Sequence, residues 1–426
     1  FAVKVKSFFT RQSIAQIFQK CLYCSKILEM KQPLASFLFL LVLSFFACKN
    51  KETQAVEPKP EASGAFVANP QPVAEQPVKT LEIGSPAPDF KLPGVDGKWY
   101  SLADFQTAKV LVLVFTCNHC PTAQAYEERI KSVAADYKPK GVELVAISPN
   151  SPLGLLYDEL GYTDLNDDYA EMIIRAKNHA FNFPYLYDGD NEAASLKYGP
   201  VATPHTFVFD ENRKLAYTGR LDGVEKPGGA NAEDLRSALD AVLAGQPVAT
   251  PTTKTFGCST KWGWKLEYKD KAAKDWAAKP VTLTKLDTKG VQKLLKNEDS
   301  KKLRLVNVWA TWCGPCVREY PEFVILQQLY GGRDFEFVSI SADKPELEAK
   351  ALQFLQERHS AVANYLFSET DKYALIEAVD KEWNGALPYT ILVEPGGKAV
   401  WKRQGTFDFY ELKKVIVEHE MIGRYF

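Results

Sequence analysis

Cys313 and Cys316 flank Gly314-Pro315, and Cys117 and Cys120 flank Asn118-His119. Cysteines at this spacing can close a small disulfide within one helical turn. Each pair follows an apolar run, residues 303–308 (LRLVNV) in one case and 109–115 (KVLVLVF) in the other. Such runs read as buried central strands, and helical patterns follow them to about Tyr330 and Tyr137. At Cys313, which opens its helix, backbone N–H groups and the helix dipole favour the thiolate. Cys316 is then the buried resolving thiol. The anion is the nucleophile of disulfide exchange, and a CxxC beside a strand–helix–strand pattern reads as redox. A zinc site would need a second Cys/His pair at ligand spacing, and beyond residue 280 only His359 and His419 are present, far apart.

Trp312-Cys313-Gly314-Pro315-Cys316, with Glu319 and Pro321 downstream, resembles the thioredoxin superfamily and within it the TlpA/ResA-type extracytoplasmic oxidoreductases. The resemblance covers about residues 280–426. It implies that Leu387-Pro388 is a cis peptide beside the disulfide that aligns a substrate strand, and that Trp312 shields the thiolate. In this reading Gly314, Pro315 and Glu319 tune the pair. The buried Asp that thioredoxin carries ahead of its first Cys is replaced by Asn307, so proton transfer to Cys316 falls to water or to Glu319. Otherwise Glu319 is a solvated carboxylate on the first helix turn.

Residues 78–264 resemble the redoxin and peroxiredoxin-like branch, through Gly84-Ser85-Pro86-Ala87-Pro88-Asp89-Phe90, Phe115-Thr116-Cys117-Asn118-His119-Cys120-Pro121 and Phe256-Gly257-Cys258-Ser259. Thr203-Pro204 stands where a second substrate-positioning cis-proline is expected. True peroxiredoxins carry PxxxTxxC; here Val110 and Val114 occupy the Pro and Thr positions, which counts against a peroxidase. His119 as an imidazolium would favour the Cys117 thiolate and make this pair the better oxidant. His205 could join Cys117 and Cys120 as a soft Cu(I) set, but copper-delivery relatives use CxxxC, and His205 is expected to be a packed strand residue; no metal is assigned. Cys258 is either a third thiol that folds back to exchange with Cys117 or Cys120, or a small buried residue. Residues 151–168 read as a solvated acidic insertion without calcium-loop spacing.

These sites need two strand–helix alternations, each closed by a hairpin and a helix. The expected fold is therefore α/β, two thioredoxin-like folds in tandem, each a central mixed sheet flanked by helices. The expected domains are residues 80–264 and 280–426, joined by a connector at 265–279. With 426 residues, 46% hydrophobic and 25% charged, the chain can bury two cores. A formal net charge of −1 provides no electrostatic case for nucleic acid. No cofactor motif is present.

Residues 30–48 have signal-peptide anatomy, with Lys31, an apolar run at 34–46, and Ala47-Cys48. They resemble a bacterial lipoprotein signal, which would make Cys48 the lipid attachment point; the alternative is an uncleaved anchor. Residues 1–29 then read as an upstream extension before a start at Met30, leaving Cys21 and Cys24 accidental. Residues 49–79, rich in Pro and Glu with few large apolar side chains, read as a disordered tether. The implied protein is exported and membrane-attached, facing the periplasm. Its expected partners are protein thiols and disulfides of the cell envelope and a membrane thiol reductase. Domain 1 is expected to run the same exchange through Cys117 and Cys120, with an electron relay between the two pairs; a peroxidase, a Cu(I)-binding module and an adaptor are the competing readings.

Overall fold

The computed structural model describes residues 66–423. Cys48, expected as a lipid attachment point, the expected leader at 30–48, residues 1–29 and most of the expected tether lie outside them. Among the described residues no helix is long and apolar enough to cross a membrane.

Domain 1 opens with a small antiparallel pair, β1 (Lys91–Pro93) and β2 (Trp99–Ser101). Its main sheet has the order β5-β4-β3-β7-β8. In it β3 (Val110–Phe115), β4 (Val142–Ser148) and β5 (Tyr185–Tyr187) run parallel, while β7 (His205–Phe209) and β8 (Leu215–Gly219) close the edge antiparallel. All six residues of β3 are buried, as an apolar run covered on both faces requires. The helices α1 (Pro121–Tyr137), α2 (Tyr169–Asn178), α3 (Ala193–Tyr198) and α4 (Glu233–Leu243) flank the sheet. A two-residue pairing of β6 (Ala202–Thr203) with β9 (Cys258–Ser259) lies beside it.

Domain 2 has the sheet order β10-β13-β12-β11-β14-β15. The strands β10 (Thr284–Leu286), β11 (Leu303–Trp309), β12 (Phe335–Ser341) and β13 (Ala363–Phe367) are parallel; β14 (Tyr389–Val393) and β15 (Ala399–Gln404) are antiparallel. Polar groups inside β11 are paired: Arg304 Nε donates to Glu336 at 2.7 Å, and Asn307 Nδ2 to Thr390 Oγ1 at 3.0 Å. The helices are α6 (Thr288–Lys296), α7 (Gly314–Tyr330), α8 (Glu348–Glu357), α9 (Lys372–Val379) and α10 (Phe409–Glu418). Two antiparallel strands on the edge of a parallel sheet, with the CxxC between a central strand and its helix, make each domain a thioredoxin-like fold. The predicted elements around the cysteines match; β5 and β13, short and without a periodic signature, are additions the sequence reading lacks.

Two expectations change, for residues 66–79 and for residues 151–168. Residues 66–79 do not hang free: Phe66 packs at 4.8 Å from the Tyr169 ring, and Gln71 N–H donates to Asp190 O at 2.7 Å. One aromatic anchor and a few backbone bonds suffice to hold an otherwise polar segment on the domain surface. The connector at 265–279 is mostly a helix, α5 (Leu266–Ala277).

The acidic stretch 151–168 is not a solvated insertion. Its Leu155 and Leu160 are buried in one cluster with Leu326, Leu329 and Tyr330 of α7. Tyr330 donates its hydroxyl to Thr163 O at 2.9 Å, and Arg333 Nη1 donates to Gly161 O at 3.0 Å. Interleaved leucines carry the segment into the interface while most of its carboxylates find donors. Leu160→Asp is expected to open this contact, since an unpaired buried carboxylate costs several kcal/mol, roughly 3–5. Faster limited proteolysis within 151–168 is the readout.

Candidate active site

In domain 2, β11 delivers the chain to Cys313, which is the N-cap of α7, with Pro315 in the first turn. Cys313 and Cys316 form a disulfide, and the Cys316 N–H donates to Cys313 Sγ at 3.3 Å. That donor and the open helix end stabilise the Cys313 thiolate on reduction. Cys313 is 6% exposed and Cys316 1%. A side chain at 314 would meet Arg318 at no less than 3.6 Å, so packing alone does not demand glycine there.

The Leu387–Pro388 peptide is cis, and Leu387 packs against the cluster that contains both cysteines. A groove of about 730 Å³ opens beside it, lined by Trp312, Asp343, Phe367, Tyr373, Trp383 and Leu387. Trp312 is 58% exposed and forms part of the wall of this groove. Asp343 was not visible in the sequence as a site residue. Its carboxylate accepts from Thr311 N at 2.9 Å and Thr311 Oγ1 at 2.8 Å, which fixes the turn before the pair.

Glu319, three residues after Cys316, is not a solvated carboxylate. Both of its oxygens are buried without a hydrogen-bond partner. Burial pushes its carboxyl up to about 7, with Arg318 opposing weakly. Below that pH it is a neutral acid able to hand a proton to a departing thiolate; above it, its charge opposes that thiolate. The pH dependence of disulfide reduction in domain 2 is therefore expected to bend near 7, and Glu319→Gln to remove the bend. Stopped-flow rates between pH 5 and 9 test this.

In domain 1 the helix starts three residues later relative to its pair. Cys120, not Cys117, is the N-cap of α1, and Pro121 is its first residue. The Thr203–Pro204 peptide is cis. Thr203 touches both sulfurs: its Oγ1 is 3.1 Å from Cys117 Sγ, and its carbonyl accepts from the Cys120 thiol at 3.2 Å. Cys117, Cys120 and Cys258 are all free thiols. The Cys258 N–H donates to Cys120 Sγ at 3.2 Å, so the third thiol does fold back onto the pair.

The buried Asp167 organises this centre. It accepts from the backbone N–H groups of Asn118 (2.8 Å) and His119 (2.9 Å) and from Asn150 Nδ2 (2.7 Å), and it lies 2.6 Å from His119 Nδ1. Burial opposes the imidazolium, but Asp167 outweighs it and raises the His119 pKa. The consequence reverses the expected polarity of the pair. Burial, the Cys120 contact and the Asp167 charge push the Cys117 thiol well up. At Cys120 burial is outweighed by the Cys117 and Cys258 thiols and by His119, and the thiol falls well below its ordinary range. His119 lowers the Cys120 thiol; its Nδ1 also lies 3.5 Å from Cys117 Sγ, where the Asp167 charge works in the opposite direction. Spacing alone does not show which cysteine of a pair caps its helix, and Asp167 is not distinguished within its acidic stretch.

His205 is packed in β7 as expected. Its Nδ1 accepts from Val201 N at 3.3 Å, its Nε2 is 3.0 Å from Thr218 Oγ1, and burial lowers its pKa to about 3. Both ring nitrogens are thus engaged away from the cysteines. Cys117, His119 and Asp167 have donor atoms within 4.8 Å of one another: Asp167 pairs with His119 Nδ1 at 2.6 Å, and Cys117 Sγ lies 3.5 Å from the same nitrogen.

The two folds and their cysteine centres define a thiol–disulfide oxidoreductase. Residues 83–218 match the AhpC/TSA family and residues 272–416 match Redoxin. The chain is a tandem of two redoxin/AhpC-TSA domains. A thiol-disulfide oxidoreductase ResA of Geobacillus thermodenitrificans is 27% identical over 167 residues, 38% of this chain and 79% of the relative. A putative peroxiredoxin of Mycobacterium tuberculosis is 28% identical over 148 residues, 32% of this chain and 82% of the relative. Of the solved structures, a hypothetical protein from Sinorhizobium meliloti is 32% identical, covering 43% of this chain and 96% of that one, with a TM-score of 0.39.

Proposed function

We propose that the protein exchanges disulfides with cell-envelope proteins from a membrane-attached position, exported by the leader at 30–48 and anchored through lipid on Cys48. The observation that carries this reading is the Cys313–Cys316 disulfide at the tip of α7, beside a cis-proline and an aromatic-walled groove. Cys313 attacks a substrate disulfide, Cys316 resolves the mixed disulfide, and Leu387-Pro388 aligns the substrate chain. Electrons would reach Cys313/Cys316 from a membrane thiol reductase.

A relay between the domains is the finer part of the proposal. A low-pKa sulfur in the reduced domain 1 pair supports it, because stabilising the reduced form raises the potential. The docking sets a condition on it. Domain 1 contacts the far end of α7, a 17-residue helix about 25 Å long, while Cys313 caps the near end. The domains must part before their sulfurs meet.

The test is the reduction potential of each centre in the full chain, using Cys117→Ser/Cys120→Ser and Cys313→Ser/Cys316→Ser. A clearly more oxidising domain 1 supports the relay. Equal potentials remove its driving force, and a domain 1 that cannot be cycled restricts exchange to domain 2. The AhpC/TSA match favours a second reading for domain 1, peroxide reduction at Cys117. The raised Cys117 thiol weighs against it, and loss of peroxide turnover in Cys117→Ser would support it.

A further inference from the structure

Of the three sulfurs in domain 1, Cys117 is 3% exposed and Cys120 is fully buried, while Cys258 is partly exposed. A substrate sulfur must reach its partner in line with the bond it breaks; Cys117 offers about half the exposure of Cys313 in domain 2, 3% against 6%, and Cys258 offers more than either. The segment carrying Cys258 is built into the site. Thr203 of the cis-proline turn is the cross-strand partner of Cys258, and Ala202 that of Ser259. An exposed edge beside a redox pair is where an extended substrate would add as a strand, and the chain fills that edge with its own cysteine. The close approach depends on Gly257: its φ is +123°, and a Cβ there would lie 2.1 Å from Thr203 O. Further along the segment, Lys261 N–H donates to Asn150 Oδ1 at 2.9 Å, and Asn150 also holds Asp167.

We propose that Cys258 is the sulfur through which domain 1 meets its substrates, small or unfolded dithiols, and that Cys120 is its disulfide partner. This rests on reading domain 1 as a thiol-exchanging domain. In the oxidised form a Cys120–Cys258 disulfide faces solvent at Cys258. A substrate thiolate attacks Cys258 Sγ, forms a mixed disulfide there, and expels Cys120 as the thiolate. The second substrate thiol, as its anion, attacks the first substrate sulfur; a substrate disulfide leaves and Cys258 takes up a proton. One dithiol has lost two electrons, and the Cys120–Cys258 disulfide has gained them. The sulfur expelled is the one that His119 and the helix end stabilise as an anion, and a low-pKa thiol leaves fastest. A Cys117–Cys120 disulfide holds the same oxidising equivalent: attack by Cys258 on Cys120 releases the Cys117 thiol and requires no further oxidant.

The test uses the full chain carrying Cys313→Ser/Cys316→Ser, oxidised with diamide, alkylated and mapped by mass spectrometry. Reduced dithiothreitol is then the dithiol probe, followed by stopped flow. Adding Cys117→Ser should leave a Cys120–Cys258 disulfide. Adding Cys258→Ser or Cys258→Ala should leave a Cys117–Cys120 disulfide but slow dithiothreitol oxidation by about tenfold or more. An unchanged rate in both Cys258 variants, or no disulfide in the Cys117→Ser protein, overturns the role of Cys258 alone. If three free thiols survive diamide in the parent and in every variant, the redox reading of domain 1 fails with it.

Discussion

Asp167→Asn is expected to destabilise domain 1 by about 2–4 kcal/mol, since removing one partner of a buried ion pair strands the other, and to raise the Cys120 pKa. The amide keeps an oxygen for the Asn118 and His119 N–H groups but turns a donor toward His119 Nδ1 or Asn150 Nδ2. His119 then relieves the conflict by giving up its proton, which holds the loss below that of a fully stranded charge. The pH dependence follows from both shifts. Burial works against the Asp167 anion, but His119 holds its pKa below the ordinary 3.8; the stability this contributes is present above that value and lost as pH falls through the lowered pKa. The raised His119 pKa contributes stability that is complete below the ordinary 6.5 and lost as pH rises through the folded value. Wild-type domain 1 should therefore gain most between these limits, and Asp167→Asn should flatten the profile. Thermal melts from pH 4 to 9 read the first effect, and the ultraviolet absorbance of the thiolate followed over the same pH range reads the second; a variant with a wild-type melting profile would contradict the ion-pair argument.

Cys313→Ser is expected to cut disulfide exchange by domain 2 roughly a thousandfold or more, because a serine hydroxyl is not ionised near neutral pH and cannot form the mixed disulfide. Cys316→Ser should behave differently. Cys313 keeps its place at the helix N-cap and still attacks, but the mixed disulfide persists because nothing resolves it. Insulin reduction followed by turbidity reports the first effect. Non-reducing gels, with a band that dithiothreitol removes, report the second. More than a tenth of wild-type activity in Cys313→Ser would move the main activity to domain 1. The fold should change little in either variant, since serine is close to cysteine in volume and the surrounding cluster of Trp309, Tyr320 and Phe354 does not depend on the sulfur.

Much of this was readable along the chain because it is local. The apolar runs at β3 and β11, the CxxC spacings and the Leu387-Pro388 and Thr203-Pro204 turns are short-range patterns, and periodicity and turn chemistry act at short range. One local signal went unused: Pro121 favours the first position of a helix, which makes Cys120 the cap and separates the electrostatics of the two pairs. The rest is tertiary. Asp167 meets His119 across 48 residues and Cys258 meets Cys120 across 138. No periodicity distinguishes Asp167 from Asp164 or Asp168, and only folding decides which carboxylate is desolvated against an imidazole. The same holds for 151–168, whose composition reads as solvent-facing while Leu155 and Leu160 carry it into an interface. Sequence alone determined that this chain holds two strand–CxxC–helix units. Tertiary structure decided which sulfur its surroundings favour as the anion and which one is more exposed, because burial and charge pairing depend on groups distant in sequence.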